Sequence, residues 1–232
     1  MNYPLGSRTN SLAWSYDSFG NVTQFTRNGR ASVAGDETTE ATLYNPNTSA
    51  FITSLPARKT VYASSTASGT VLTDTYFTYD GAHGVSGRNV APVNGDLTLK
   101  ERLLDTNGTY PSEAFDHDSF GNVIQVTDAV GASTQLAFDP TFHIFPTTVT
   151  NALGQVSTTN WGDMVCGQPA SQVDINNRTT GFSYDPLCRK IQTTFPSGEY
   201  ENVGYRSIGS PTLQNIRKDL SLIHISEPTR PY

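Results

Sequence analysis

Residues 15–26 read Ser-Tyr-Asp-Ser-Phe-Gly-Asn-Val-Thr-Gln-Phe-Thr. Residues 116–127 return the phrase as Asp-His-Asp-Ser-Phe-Gly-Asn-Val-Ile-Gln-Val-Thr, identical at eight of twelve positions and displaced by 101 residues. Such a phrase has a local physical meaning. Tyr16 ends a strand with a large apolar face, and the Asp17 carboxylate can accept the backbone amide two residues on, closing an Asx-turn. Gly20 can take the left-handed conformation, and Asn21 then opens the return strand. In the second copy Asp118, Gly121 and Asn122 hold the same places, with His117 where the first copy has Tyr16. The spacing predicts hairpin turns at 17–21 and 118–122.

A shorter period runs through the second half. Phe138, Trp161 and Tyr184 recur at equal intervals, and Asp139, Gly162 and Asp185 follow them. A second series, Asp128, Asn151 and Asp174, keeps that same interval, with Gly131, Gly154 and Asn177 three positions later. The two series alternate, and the stretches between them are short runs of Thr, Val, Phe and Ile. That pattern describes a chain of hairpins, with one hairpin to each period. Phe138, Trp161 and Tyr184 are expected to stack along one face. A third turn is expected at 185–189, where Cys188 stands in the glycine position. A side chain held left-handed costs about 1–2 kcal/mol, so this turn is expected to be of another type.

Composition agrees with an all-β reading. Of 232 residues, 31 are Thr, 22 Ser and 16 Asn, with 19 Gly and 13 Pro, and only 16% are charged. Helical bundles and coiled coils need more Ala, Leu, Glu and Lys, whereas Thr and the aromatics suit strands. The net charge is -6, and no run of Lys or Arg could track a phosphate backbone, so nucleic acid is not an expected partner. No apolar run is long enough to span a bilayer, and the opening Met-Asn-Tyr-Pro-Leu-Gly has neither the basic nor the apolar part of a signal peptide. No membrane span is expected.

The Tyr-Asp-x-x-Gly-Asn/Arg units, alternating with Asp/Asn-x-x-Gly units, resemble the YD repeats of Rhs proteins. The stretch Phe138-Asp-Pro-Thr-Phe-His-Ile-Phe-Pro146, with Asn151-Ala-Leu-Gly154 and Cys166-Gly-Gln-Pro169, is more particularly similar to the B component of bacterial insecticidal toxin complexes. The resemblance is clearest over 105–206 and visible over 14–30. Over 31–104 it is poor, although Tyr44-Asn45 and Tyr79-Asp80-Gly81 read as divergent units with insertions. Three regions follow: a divergent β region over 1–104, a regular repeat array over 105–220, and a tail over 221–232 that breaks the repeat grammar and reads as non-native. The resemblance implies a spiralling β-sheet shell around a C-terminal toxic polypeptide, of which this chain is one length, and a secreted or extracellular bacterial location. The implied partners are the remaining repeats of the parent chain, the enclosed toxin polypeptide and the other toxin-complex subunits. The family's self-cleaving aspartates lie in a segment with no counterpart here.

Candidate chemistry is sparse. Asp116, His117 and Asp118 suggest a metal or acid-base cluster, but neighbouring strand residues point to opposite faces, and a solvated turn explains them. Read as a calcium loop, the stretch puts Phe120 and Thr127 at ligand positions. His143 sits among Phe142, Ile144 and Phe145, which suits packing, while His83 and His224 have no ligand-spaced partners. Cys166 and Cys188 are separated by close to one repeat, but they stand at the fifth position after Trp161 and the fourth after Tyr184. On regular strands that difference puts the thiols on opposite faces, so no disulfide is expected. No Gly-x-Ser-x-Gly nucleophile elbow occurs.

The residues singled out, Tyr16, Asp17, Gly20, Asn21, Asp118, Gly121, Asn122, Phe138, Asp139, Gly154, Trp161, Tyr184 and Asp185, are therefore read as structural repeat positions. Catalytic, cofactor and metal residues are expected to be none. A non-catalytic wall segment is the leading reading. A cell-surface adhesive or carbohydrate-binding module is the alternative, and a β-propeller glycosidase is disfavoured because similarity recurs at every hairpin rather than only at a full blade.

Overall fold

The computed structural model describes residues 10–30, 33, 35–81, 88–104, 108–162, 166–205 and 215–219. Among these residues every regular element is a strand, sixteen in all. The chain forms two compact units, 1–134 and 135–232. Residues 221–232, together with His83 and His224, lie outside the described residues.

Unit 1 holds β1 (Asn10–Tyr16), β2 (Val22–Arg30), β3 (Thr38–Tyr44), β4 (Pro56–Tyr62), β5 (Val71–Tyr79), β6 (Leu97–Arg102), β7 (Ser112–His117) and β8 (Val123–Thr127). From β1 to β8 each strand pairs antiparallel with its neighbour in chain order. β9 (Ser133–Phe138) carries the division between the units. Unit 2 continues with β10 (Pro146–Thr150), β11 (Val156–Asn160), β12 (Ser171–Val173), β13 (Thr179–Tyr184), β14 (Lys190–Thr194), β15 (Tyr200–Gly204) and β16 (Asn215–Asp219), again paired antiparallel in chain order. An all-β array of antiparallel hairpins is thus the observed fold. Its order explains the sequence period, because two short strands and two turns return the chain to the same edge once per repeat.

The strands form because their composition suits a pleated surface: β5 reads Val-Leu-Thr-Asp-Thr-Tyr-Phe-Thr-Tyr. Little apolar mass is enclosed. Ala57 and Leu99 are the buried hydrophobic residues among those described, whereas the buried polar set includes Thr26, Thr39, Thr42, Thr60, Thr78, Thr98 and Thr193. Threonine combines a β-branched body with a hydroxyl that can bond across the ladder, although that of Thr78 is buried without a partner among the described residues. Thr26 and Thr39 face each other on β2 and β3 with hydroxyls 3.1 Å apart, and Thr39 also donates to the Ser64 carbonyl at 2.8 Å. Ladder hydrogen bonds and cross-strand pairs therefore do most of what a hydrophobic core does in a layered domain.

The region 31–104 follows the same plan despite its poor sequence match. Tyr44 ends β3 and Tyr79 ends β5, with longer excursions before β4 and β6. Register shifts fall just before the closing residue at Ser15/Tyr16, Leu43/Tyr44, Thr78/Tyr79, Asp116/His117 and Ser183/Tyr184. Such a bulge re-aims the side chain that follows it.

Candidate functional site

The repeat positions are built around one carboxylate per turn. Asp17 Oδ1 accepts the amides of Phe19 and Asn21, both at 2.9 Å. Asp118 Oδ1 accepts those of Phe120 and Asn122 at 2.9 and 3.0 Å, and Asp185 Oδ1 accepts those of Leu187 and Arg189 at 2.9 and 3.0 Å. The second oxygen takes the side chain four residues on: Asn21 Nδ2 at 2.8 Å, Asn122 Nδ2 at 3.0 Å and Arg189 Nε at 2.7 Å. Asp128, Asn151 and Asp174 make the same pair of amide contacts in the alternate turns. Gly20, Gly121, Gly131 and Gly154 supply the positive φ that each turn needs, at 86°, 84°, 87° and 75°.

These contacts set the electrostatics. Burial pushes the Asp17 carboxyl up, but the Asn21 side chain and the turn amides outweigh it and hold it below the ordinary carboxylate value. Arg189 does the same for Asp185, helped by the turn amides. Asp139 closes a longer loop: Oδ1 accepts the amides of Thr141 and Phe142, and Oδ2 those of Ile144 and Phe145. Burial opposes its charge, yet four amide donors bring its pKa down to about 2. His143 sits at this loop's tip with φ 58°, flanked by the exposed Phe142 and Ile144.

The aromatic positions form a second repeated device. Tyr44 hydroxyl donates to the Val22 carbonyl at 3.2 Å, Tyr79 to Pro56 at 3.0 Å, Trp161 Nε1 to Pro146 at 2.8 Å, Tyr184 to Pro169 at 2.9 Å and Tyr205 to Lys190 at 3.1 Å. Four of these acceptors, Val22, Pro56, Pro146 and Lys190, are the first residues of the even-numbered strands β2, β4, β10 and β14, and Pro169 lies just before β12. Each of these five side chains thereby lashes its hairpin to the one before it. Phe138 and His117 occupy the same place without a hydroxyl, and the buried His117 Nδ1 has no partner.

Three expectations are corrected. Phe138 and Tyr184 end β9 and β13, and Trp161 directly follows β11, but the three do not stack on one another. Alternate strands are about 9.6 Å apart, beyond ring contact, and Trp161 packs on Phe145 instead, centroid to centroid 4.9 Å. Cys188 does not change the turn type. Its φ is 60°, its amide donates to the Asp185 carbonyl at 2.9 Å, and the Asp185 contacts match those of the glycine turns. Cys166 and Cys188 are also disulfide-bonded, with Cα atoms 5.5 Å apart. The alternation rule failed because both residues lie in turns, where no strand face is defined.

Sequence reasoning missed a charged network on β4, β5 and β6. Asp74 is buried and accepts four bonds at 2.7 to 2.8 Å, from Arg58 Nε and Nη2, the Thr60 hydroxyl and the Tyr110 hydroxyl. Arg88 forks onto Glu101 at 2.8 and 2.7 Å. Tyr76 lies between the two guanidinium groups, 4.7 Å from Arg58 and 3.9 Å from Arg88. Burial pushes the Asp74 carboxyl up, and Arg58, Tyr110 and Thr60 more than reverse it. The bond to Asp74 raises Tyr110 to about 12. The only sequence signal was a buried-strand phase carrying Asp and Arg where Thr would be usual. Every group is satisfied within the network, which suits a rigid brace rather than proton transfer.

No protein-family model matches the sequence, and no curated protein matches it. Solved structures do match its fold. The crystal structure of TcdB2-TccC3-Cdc42 matches with a TM-score of 0.56 at 11% identity, covering 83% of this chain and 14% of that one. That of TcdB2-TccC3-TEV matches with a TM-score of 0.57 at 10% identity, covering 86% and 13%. A Tc holotoxin pore structure from Photorhabdus luminescens matches 90% of this chain and 12% of its own at 16% identity, with a TM-score of 0.46. The chain spans about one seventh of the length of the TcdB2-TccC3 chains. What it shares with them is a fold, the antiparallel β-hairpin array.

Proposed function

We propose that this chain is a structural wall segment of a toxin-encapsulating YD-repeat shell of a bacterial toxin complex, secreted and non-catalytic in itself. The observation that carries the reading is the repetition of one hairpin plan, in which the polar side chains serve the fold. The carboxylates of Asp17, Asp118, Asp139 and Asp185 are spent on their own turn amides, and the aromatic hydroxyls on the preceding hairpin. The fold shared with TcdB2-TccC3 chains supports it. Its partners on this reading are further repeats of the parent chain, an enclosed C-terminal polypeptide and other toxin-complex subunits. The purified chain, supplied with divalent metals, should show no protease, glycosidase or nuclease turnover. A reproducible activity lost in Asp116→Ala or His117→Ala would replace this reading with an enzymatic one.

One observation favours a second reading, an adhesive or carbohydrate-binding module. Phe19, Phe51, Phe120 and Phe142 stand exposed at turns. Saturable glycan binding that weakens in step with loss of these rings to alanine would support it.

A further inference from the structure

Cys188 occupies a position that the other short turns give to residues tolerant of positive φ. Gly20, Gly121, Gly131, Gly154 and Gly198 stand there with φ between 75° and 87°, and Asn177 with φ 59°. A cysteine is disfavoured in that conformation relative to glycine, and nothing in the turn's own hydrogen bonding uses its sulfur. What it does is bond Cys166, which lies in the β11–β12 connection. That connection and the β13–β14 turn share one edge of the unit 2 array, because they follow successive odd-numbered strands. The cross-link therefore joins neighbouring hairpins at the edge where Tyr184 also lashes to Pro169. Both half-cystines are partly exposed. Cys166 lines an open cavity of about 220 Å³ with Gly162, Gln168, Phe182 and Tyr184. A small thiol can reach it.

We propose that the Cys166–Cys188 pair is a redox-responsive clasp: closed in an oxidising compartment, and opened by a dithiol reductant so that the β13–β14 turn and its neighbouring hairpin loosen. A reductant thiolate attacks one sulfur, forming a mixed disulfide and releasing the other cysteine as thiolate. The reductant's second thiol then displaces the first cysteine. One S–S bond breaks in the protein and one forms in the reductant, with two electrons and two protons passing to the protein. After opening, Cys188 keeps a strained backbone with no cross-link to hold it, whereas a glycine there would not be strained. That difference makes the opened state looser than a clasp-free repeat.

The test uses the full chain, with thiol titration and amide hydrogen exchange before and after dithiothreitol. No thiol should titrate in the denatured protein before reduction, and two should titrate after it. Exchange of the Leu187 to Arg189 amides should then quicken roughly tenfold or more, while the Phe19 to Asn21 turn is unchanged. Cys188→Gly should be insensitive to the reductant and should exchange more slowly here than reduced wild type. Cys166→Ser, kept in reductant, should match reduced wild type. Two free thiols without reductant would overturn the proposal, and so would unchanged exchange after complete reduction.

Discussion

Trp161 donates its indole Nε1–H to the carbonyl of Pro146 at 2.8 Å, across fifteen residues of chain, and Tyr184 does the same to Pro169 across another fifteen. The bond ties each hairpin to its predecessor rather than to a distant core. Trp161→Phe removes the donor and should cost about 0.5–1.5 kcal/mol. Trp161→Ala also strips the packing on Phe145 and should cost about 3 kcal/mol or more. Equilibrium urea unfolding of the two variants separates the terms, and a Trp161→Phe variant as stable as wild type would contradict the donor role.

The turn carboxylate is needed as an acceptor more than as a charge, because Asn151 does the same work with an amide oxygen at 3.0 Å. Asp118→Asn should therefore cost less than about 0.5 kcal/mol, and Asp118→Ala about 1–2 kcal/mol. Denaturation midpoints check the ordering.

His117 fills an aromatic position but leaves a buried nitrogen unpaired. By the register of the other hairpins, a tyrosine there would aim its hydroxyl at Leu97, the first residue of β6. His117→Tyr should stabilise the chain by about 1 kcal/mol. A fall in melting temperature would show that the open space beside it does not admit the larger ring.

Asp139 ties stability to acid. Its folded pKa of about 2 lies below the value near 4 of an unfolded aspartate, so its contribution is present above pH ~4 and is lost as pH falls through about 2. Asp139→Asn lacks the second acceptor oxygen and should flatten the acid limb of the stability profile in that window. The basic limb has its own cause, since burial raises Tyr79 to about 12 and the bond to Asp74 raises Tyr110 to about 12. Their contribution is present below pH ~10 and is lost as pH rises through about 12.

Asp74→Ala should destabilise unit 1 by about 2–3 kcal/mol, less than a wholly buried pair would, because Arg58 keeps 36% exposure and solvent screens it. Pairing it with Arg58→Ala in a double-mutant cycle measures the coupling. Additive losses would show that the two groups act independently.

The short turns were legible because everything they need lies within one tight loop: an acceptor, a left-handed position and a return residue. The Tyr79-Asp80 unit was harder to read, since the Asp80 carboxylate caps amides at Val93 to Asp96, across an insertion that hides the turn. The aromatic period was visible, but its use was not, because a carbonyl acceptor leaves no mark in sequence. The disulfide escaped because strand parity was applied to two residues in turns. The Asp74 network escaped because its members come from β4, β5 and the β6–β7 connection, and only folding brings them together.

The central claim is that these hairpins are a length of wall around an enclosed polypeptide. The most direct measurement is limited proteolysis, with electron microscopy, of the whole reading frame that contains this segment. The account predicts further Tyr-Asp hairpins in that frame, a closed particle, and a downstream polypeptide that resists protease until the particle is opened. A folded parent chain whose downstream polypeptide is digested as fast as the free polypeptide would contradict it.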